Sequence, residues 1–201
     1  MSGMRSIPLD EVWRLLPCLP PKYACLTALG VATGCRISEL LLLRRNHLLL
    51  PDGRLRDEIA FPELKKRRTA HRKMALPEVF RRHVTGHLVR EERLGYDRPD
   101  GWVFRGRGGR HLSRTQVYRF FRERLGRGHG THWMRKTFAQ LLFRYLEEES
   151  GDVLKALETT RRALDHERID TTIRYLGLRE QEIKNAQEAI FCPSVPIRNN
   201  P

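Results

Sequence analysis

Four short segments of this sequence carry side chains that could bind phosphate groups and move protons. The segments read TGCRISELLLLRR (33–45), LKKRRTAHRKMALP (64–77), HWMRKTFA (132–139) and LDHERIDTTIRYL (164–176). An arginine guanidinium suits two phosphate oxygens at once, and a histidine can act as a base near pH 7. A tyrosine, with a pKa of about 10, must lose its proton to act as a nucleophile.

Each segment also has an ordinary explanation when it is taken alone. Arg36 could start a helix and pair with an acidic residue three positions later, and the basic tip KKRRTAH (65–71) could be a solvated hairpin turn. His132 and Arg135 could share one helix face by accident, and Tyr175 could be a half-buried aromatic residue of an amphipathic helix. Short motifs often match by chance, so the four segments are informative only in combination.

In this order the four segments resemble the motifs of the tyrosine recombinase (phage integrase) family. The family's T-G-x-R-x-S-E-L segment stands here at 33–40, and its H-x-x-R box stands at 132–135. Its L-G-H…T-T…Y box is similar to 164–175, where Tyr175 follows His166 at the family's spacing. The resemblance runs over nearly the whole chain, from about residue 7 to residue 189.

The resemblance implies an active site with two arginines, two histidines, a lysine and a tyrosine nucleophile. Carried over one position at a time, these are Arg36, Lys66, His132, Arg135, His166 and Tyr175. Lys65 is the alternative to Lys66, because a slip of one residue in a hairpin turn is easily made. The resemblance further implies DNA contacts from Lys65, Arg67, Arg68, Arg72 and Lys136, although Lys136 could equally be a solvated side chain.

The implied reaction is the cutting and rejoining of duplex DNA through a covalent 3′-phosphotyrosyl link, without metal, ATP or another cofactor. Two arginines and His132 would stabilise the charge that builds on the phosphate oxygens. His166 would help to orient or accept the tyrosine proton. The hairpin lysine lies among arginines in the sequence. Neighbouring positive charge would lower its pKa and suit it to protonate the departing 5′-oxygen.

Three positions depart from the family pattern. Lys136 stands where the family often has a second histidine, Cys35 replaces a frequent leucine, and Asp165 replaces the glycine of L-G-H. None of the three is an implied catalytic position. A carboxylate at Asp165 adds negative charge beside His166, and we expect it to raise the pKa of that histidine.

The positive charge of the chain is concentrated in one stretch. The 201 residues include 38 Lys and Arg against 24 Asp and Glu, a net charge of +14. Residues 65–135 hold 20 of the basic and 6 of the acidic residues, so this stretch accounts for the whole excess. Such a stretch predicts a surface for a polyanion, which the resemblance identifies as double-stranded DNA.

Composition excludes several other classes of protein. No apolar run approaches the length of about 20 residues that crosses a bilayer, and the first residues lack the apolar stretch of a signal peptide. The four cysteines form no C-x-x-C and no metal-ligand spacing, which favours reduced thiols. We therefore expect a cytoplasmic protein that is not associated with a membrane, and the resemblance implies a bacterial protein associated with the nucleoid.

The pattern of elements predicts a mainly α protein with one small antiparallel β-hairpin (α+β), the class of the tyrosine recombinase catalytic domain. A short helix capped by Asp10 precedes a longer apolar one, and Thr33-Gly34 separates that from a helix at 36–43. Strands are predicted at 58–64 and 72–76 around the basic tip. Further helices are predicted at 77–94, 113–125, 131–149, 152–163 and 170–190.

We expect one catalytic domain at 6–190, a flexible tail at 191–201 and no N-terminal core-binding domain. The resemblance implies a tetrameric synapse with other copies of the chain on DNA. The amphipathic segment 178–190 could pack on its own domain, and the resemblance favours it instead as the contact between copies. Two alternatives remain open. One is DNA relaxation of the type IB topoisomerase kind, and the other is a non-catalytic DNA-binding relative.

Overall fold

The computed structural model describes residues 6–62, 71–126 and 129–178. Within these ranges the chain is mostly helical, with a single antiparallel pair of strands, and this confirms the predicted fold class. The helices and strands are α1 Leu9–Leu15, α2 Pro21–Thr33, α3 Ile37–Leu41, α4 Arg45–Leu48, β1 Glu58–Pro62, β2 His71–Ala75, α5 Glu78–Arg93, α6 Arg114–Leu125, α7 Trp133–Ser150, α8 Val153–Ala163 and α9 Ile169–Leu176. No helix among the described residues is both long enough and apolar enough to span a membrane.

Helix α2 is the central helix of the first part of the chain, because every residue from Ala24 to Val31 is buried. Proline at the first helical position suits its start, where the missing N–H has no helical partner. A Cβ atom at Gly30 would lie 2.7 Å from the sulfur of Met134, so glycine lets α2 and the start of α7 approach closely. This packing carries the 132–135 segment to the helix that precedes Arg36.

Strands β1 and β2 form the predicted hairpin with a register from Glu58 opposite Ala75 to Pro62 opposite His71. Side chains alternate across a strand, and Ile59 and Phe61 are accordingly buried on one face. The tip of the hairpin, with the implied lysines Lys65 and Lys66, lies outside the described residues.

The chain divides into two compact units, one at 1–142 and one at 143–201, with the division inside α7. The first unit has a hydrophobic core built from α1 to α6, the hairpin and the start of α7. The second unit contains α8 and α9, which pack on each other and bury Leu157, Leu164 and Leu176. The predicted tail and residues 179–190 of the predicted docking segment lie outside the described residues.

Several predicted elements differ in detail from the structure. Asp10 does not cap α1, because Pro8 holds the cap position and Asp10 pairs with Arg14 within the helix. Arg36 lies just before α3 rather than inside it. Helix α9 ends at Leu176, inside the predicted helix at 170–190, because Gly177 adopts a left-handed φ of 74°. Residues 179–190 of that prediction lie outside the described residues.

Candidate active site

The turn between α2 and α3 depends on Gly34. Its φ of 61° is left-handed, which ends α2, and a Cβ atom there would clash with the ring of Phe138. Thr33 stabilises the same turn, since its hydroxyl donates to the Leu29 carbonyl at 2.6 Å and accepts the N–H of Cys35 at 3.3 Å. The residues of the T-G-x-R segment thus shape the backbone from which Arg36 projects.

Arg36 occupies the N-cap position of α3 and is held there by Glu39. One Glu39 oxygen accepts a hydrogen bond from the Arg36 backbone N–H at 2.7 Å. The other accepts one from Nη1 of the Arg36 side chain at 3.0 Å. The Glu39 side chain is only 7% exposed and that of Arg36 19%. The pairing of Arg36 with an acidic residue three positions later is therefore present. It holds the Arg36 guanidinium in one direction at the start of α3.

Arg135 lies in the first turn of α7 and is 3% exposed. Its Nη1 donates a hydrogen bond of 2.7 Å to the carbonyl of Gly34, two residues before Arg36. A buried guanidinium is costly unless its donors are satisfied, so this bond fixes Arg135 against the α2–α3 turn. The two arginines of the sequence motifs, about a hundred positions apart in the chain, are thereby brought to one place.

His132 is half-buried just before α7, and its carbonyl accepts the N–H of Lys136 at 3.0 Å. Burial is the largest cause that lowers the pKa of its imidazole, and the positive charges of Arg135, Arg114 and Arg36 lower it further. Each of these favours the neutral ring. At neutral pH His132 is therefore a neutral imidazole among guanidinium groups, a surrounding that attracts an anion.

Arg114 joins this cluster although the sequence motifs do not include it. It is an exposed residue in the first turn of α6, a helix capped by the hydroxyl of Ser113. A cation in the first turn opposes the helix dipole, and that unfavourable placement was a signal available in the sequence. Its charge is close enough to His132 to lower the pKa of the ring.

His166 and Tyr175 face each other in the second unit. Their rings make an edge-to-face contact with centroids 5.5 Å apart. The His166 Nδ1 lies 3.0 Å from the hydroxyl of Thr172, which is fully buried in α9. Because α9 begins at Ile169, the turn before it brings His166 back beside the last turn of the helix, where Tyr175 lies.

The structure therefore brings the predicted site residues together in two groups. Arg36, His132 and Arg135 form one cluster in the first unit, and His166 and Tyr175 form a pair in the second. Lys136 is half-buried in the first turn of α7. Arg72 lies in β2 opposite Phe61. The remaining predicted residues, Lys65, Lys66, Arg67 and Arg68, lie outside the described residues.

A metal site is not apparent in the part of the chain that the structure describes. No three His, Cys, Asp or Glu side chains there come together in a way that could hold an ion. The groups that do come together are guanidinium and imidazole side chains, which suit an anionic ligand such as a phosphate.

The family model of the phage integrase family matches residues 6–182. The chain therefore belongs to the phage integrase family. No match to a curated protein was found.

Solved structures of tyrosine recombinases share the fold. XerA recombinase matches with a TM-score of 0.66 and 18% identity, over 96% of this chain and 67% of its own. XerH recombinase, bound to its palindromic difH substrate after cleavage, matches with a TM-score of 0.61 and 20% identity, over 92% of this chain. The catalytic domain of bacteriophage HP1 integrase matches with a TM-score of 0.52 and 17% identity, over 96% of this chain.

These matches differ in how much of each relative they cover. The chain spans 53% of the length of XerH but 97% of the length of the HP1 integrase catalytic domain. The described fold is accordingly that of a tyrosine recombinase catalytic domain, as the sequence predicted.

Proposed function

We propose that this chain is a site-specific DNA recombinase that cuts and rejoins duplex DNA through a covalent 3′-phosphotyrosyl intermediate. The observation that carries the proposal is the hydrogen bond from the buried Arg135 to the Gly34 carbonyl. It joins the T-G-x-R and H-x-x-R segments into one cationic cluster with a neutral histidine. A binding protein that only gripped DNA would have no need to bury an arginine against the turn that carries another.

The cluster suits the transition state of phosphoryl transfer. Arg36 and Arg135 would each bind non-bridging oxygens of one phosphate, and His132 would donate an N–H to the same group. Glu39 and the Gly34 carbonyl hold the guanidinium groups before DNA arrives. Groups oriented in advance need no reorganisation as negative charge builds, and this is the largest contribution that such sites make to rate.

Tyr175 is the proposed nucleophile. Its phenolic oxygen attacks phosphorus, the bond from phosphorus to the 5′-oxygen breaks, and the 3′-phosphate becomes linked to the tyrosine. The phenolic proton passes to His166, whose ring contacts that of Tyr175. Since the Nδ1 atom of His166 faces the Thr172 hydroxyl, we assign this proton transfer to Nε2. Attack of the 5′-hydroxyl on the phosphotyrosine reverses these steps and rejoins the strand.

The departing 5′-oxygen needs a proton, and we propose that Lys66 supplies it, with Lys65 as the alternative. Further phosphate contacts would come from Lys65, Arg67, Arg68, Arg72 and Lys136. Bond energy is retained in the phosphotyrosine, so the proposed reaction uses no ATP and no metal. Cutting and rejoining four strands in two duplexes further implies other copies of the chain in the synapse, on DNA in the bacterial cytoplasm.

A nicked suicide duplex tests the proposal, because the short strand beyond the cut diffuses away and traps the covalent complex. Duplexes made from the DNA flanking the gene should give an adduct with the natural chain and none with Tyr175→Phe. The variant should still bind the duplex, because the phenolic oxygen contributes little to DNA affinity. An adduct that persists in Tyr175→Phe would show that another residue is the nucleophile.

The same preparation separates the alternatives. Relaxation of a supercoiled plasmid without any specific site would instead indicate a topoisomerase. Tight binding to DNA with no adduct on any flanking duplex would indicate a non-catalytic relative.

A further inference from the structure

The loop that carries His166 is held by Arg161, the ninth residue of α8. The Arg161 Nη1 donates a hydrogen bond of 2.6 Å to the carbonyl of His166. In return the N–H of His166 donates to the carbonyl of Arg161 at 3.0 Å. The main chain at His166 is therefore bonded through both its donor and its acceptor to a single residue of the preceding helix.

The guanidinium that makes this contact is itself fixed. Its Nε lies 2.7 Å from one oxygen of Glu158, and its Nη2 lies 2.8 Å from the other. Two parallel bonds of this kind set the direction of an arginine as well as its position. The hydrogen bonds from Arg161 and Arg162 lower the pKa of Glu158 to about 2, so the carboxylate stays ionised at neutral pH.

The turn between Arg161 and His166 needs such a constraint. Asp165 has a left-handed φ of 51°, a conformation that a residue with a Cβ rarely adopts. A backbone strained in this way persists only where its surroundings hold it. Arg161 in α8 constrains the turn through its hydrogen bond to the His166 carbonyl, and the Thr172 hydroxyl in α9 lies beside the imidazole ring.

We infer that Arg161 is a positioning residue for the proposed strand-cleavage reaction: it holds the main chain of His166 so that the imidazole stays beside Tyr175. This inference rests on the proposed function and assigns a role to a residue outside the family motifs. Arg161 bonds the main chain of His166 and would act on the reaction through that residue. Removal of the Arg161 side chain should therefore slow the chemical step and leave the affinity for DNA unchanged.

The chain offers a matched control in the next residue. Arg162 donates to the same Glu158 carboxylate at 2.8 Å, but its side chain is 75% exposed. None of its described hydrogen bonds reaches His166. Loss of Arg162 removes an equal charge and an ion pair with the same partner, and it leaves the His166 carbonyl bonded.

Single-turnover cleavage of the nicked suicide duplex, at saturating protein, measures the effect. Arg161→Met should slow adduct formation about tenfold or more, the size expected for residues that act on one another directly. The affinity of Arg161→Met for the duplex should stay within about twofold of that of the natural chain. Arg162→Met should match the natural chain in both the rate of adduct formation and the affinity for the duplex. Arg161→Lys, which keeps one donor for the carbonyl, should recover part of the rate and serves in place of Arg161→Met if that variant unfolds.

A double-variant cycle distinguishes positioning from general destabilisation. In a His166→Ala background the Arg161→Met change should cost almost nothing further, because the group it positions is already absent. Equal slowing by Arg161→Met in the presence and absence of His166 would overturn the inference. So would equal slowing by Arg161→Met and Arg162→Met.

The imidazole spectrum gives a readout that needs no DNA. In a long-range proton–nitrogen NMR spectrum, the signals of His166 are identified by their loss in His166→Ala. Arg161→Met should shift these signals and Arg162→Met should leave them in place, whereas unchanged signals in Arg161→Met would overturn the inference. Because this result does not depend on cleavage, failure of the natural chain to form an adduct would count against the proposed function alone.

Discussion

Asp165 lies where related motifs have glycine, and it adopts left-handed backbone at φ 51°. That conformation costs an L-residue roughly 1–2 kcal/mol, while the greater freedom of glycine in the unfolded chain costs about 0.5–1 kcal/mol. Asp165→Gly should therefore raise the free energy of unfolding by about 0.5–1 kcal/mol, measured by thermal or urea denaturation. A lower stability would show that the Asp165 carboxylate, which faces the charge of Arg161, contributes more than the strain costs.

The lowered pKa of His132 predicts how DNA affinity depends on pH. The ring is neutral in the free protein because burial and three arginines disfavour its charge. A bound phosphate would favour the charged ring and raise its pKa, so binding takes up a proton. Affinity should then strengthen as pH falls through the pKa of the complex, and it should level off below the lowered pKa of the free protein.

Fluorescence anisotropy of a labelled duplex at constant ionic strength measures this effect between about pH 7.5 and 5.5. One unit of pKa difference between bound and free states corresponds to about tenfold in affinity. We expect a gain of several-fold in the natural chain and a flat profile in His132→Gln. A gain of the same size in His132→Gln would assign the proton to another group.

At the scale of elements, the α2–α3 turn should be sensitive to a single methyl group. Gly34→Ala places a Cβ atom against the ring of Phe138 and forces left-handed backbone on alanine. These effects together should lower the free energy of unfolding by about 2–4 kcal/mol. Gly53→Ala is the matched control, because its φ of 82° is also left-handed but its Cβ atom would meet nothing within 4 Å.

Urea unfolding measures both glycine variants. Gly53→Ala should lower the free energy of unfolding by about 1 kcal/mol, from backbone strain alone. Similar losses in the two variants would mean that contact with Phe138 does not constrain the turn. In that case the close packing of α7 on the α2–α3 turn would not be what holds Arg36 and Arg135 together.

Long amphipathic helices were predictable from the sequence, and isolated short ones were not. The helix predicted at 77–94 is Glu78–Arg93, because its apolar residues recur at a clear helical spacing. Helix α4 was not predicted, since it has only four residues and lies in a leucine-rich run without a period. The break at Gly177 was also missed, because a lone glycine is tolerated inside a helical pattern.

The same limit applies to the candidate site. Motif order was enough to select Arg36, His132, Arg135, His166 and Tyr175 from the sequence, and their catalytic roles stay predictions. The contacts that hold them could not be read in the same way. Gly34 and Arg135 meet only because α2 packs on α7, and the bond from Arg161 to His166 depends on the strained turn between them.

At the scale of the whole molecule, the charge of the basic stretch serves more than one purpose. Arg105 pairs with the buried Glu91 and stacks over Tyr96, with its guanidinium carbon 3.2 Å from the ring centre. Arg81 bonds the carbonyl of Leu55 and pairs with Asp57. Arg81 and Arg105 therefore stabilise the fold of the first unit, and we expect other basic residues of 65–135 to contribute to the proposed DNA surface.

The identity of the residue that becomes linked to DNA tests the central claim most directly. The trapped adduct is digested with nuclease and with trypsin, which cuts after Arg174 and Arg179, and the modified peptide is identified by mass spectrometry. We predict a nucleotide 3′-phosphate on the peptide of residues 175–179, whose one nucleophilic hydroxyl is that of Tyr175, with a free 5′-hydroxyl on the released strand. A phosphate on any other residue, or a 5′-phosphate link to the protein, would contradict the account.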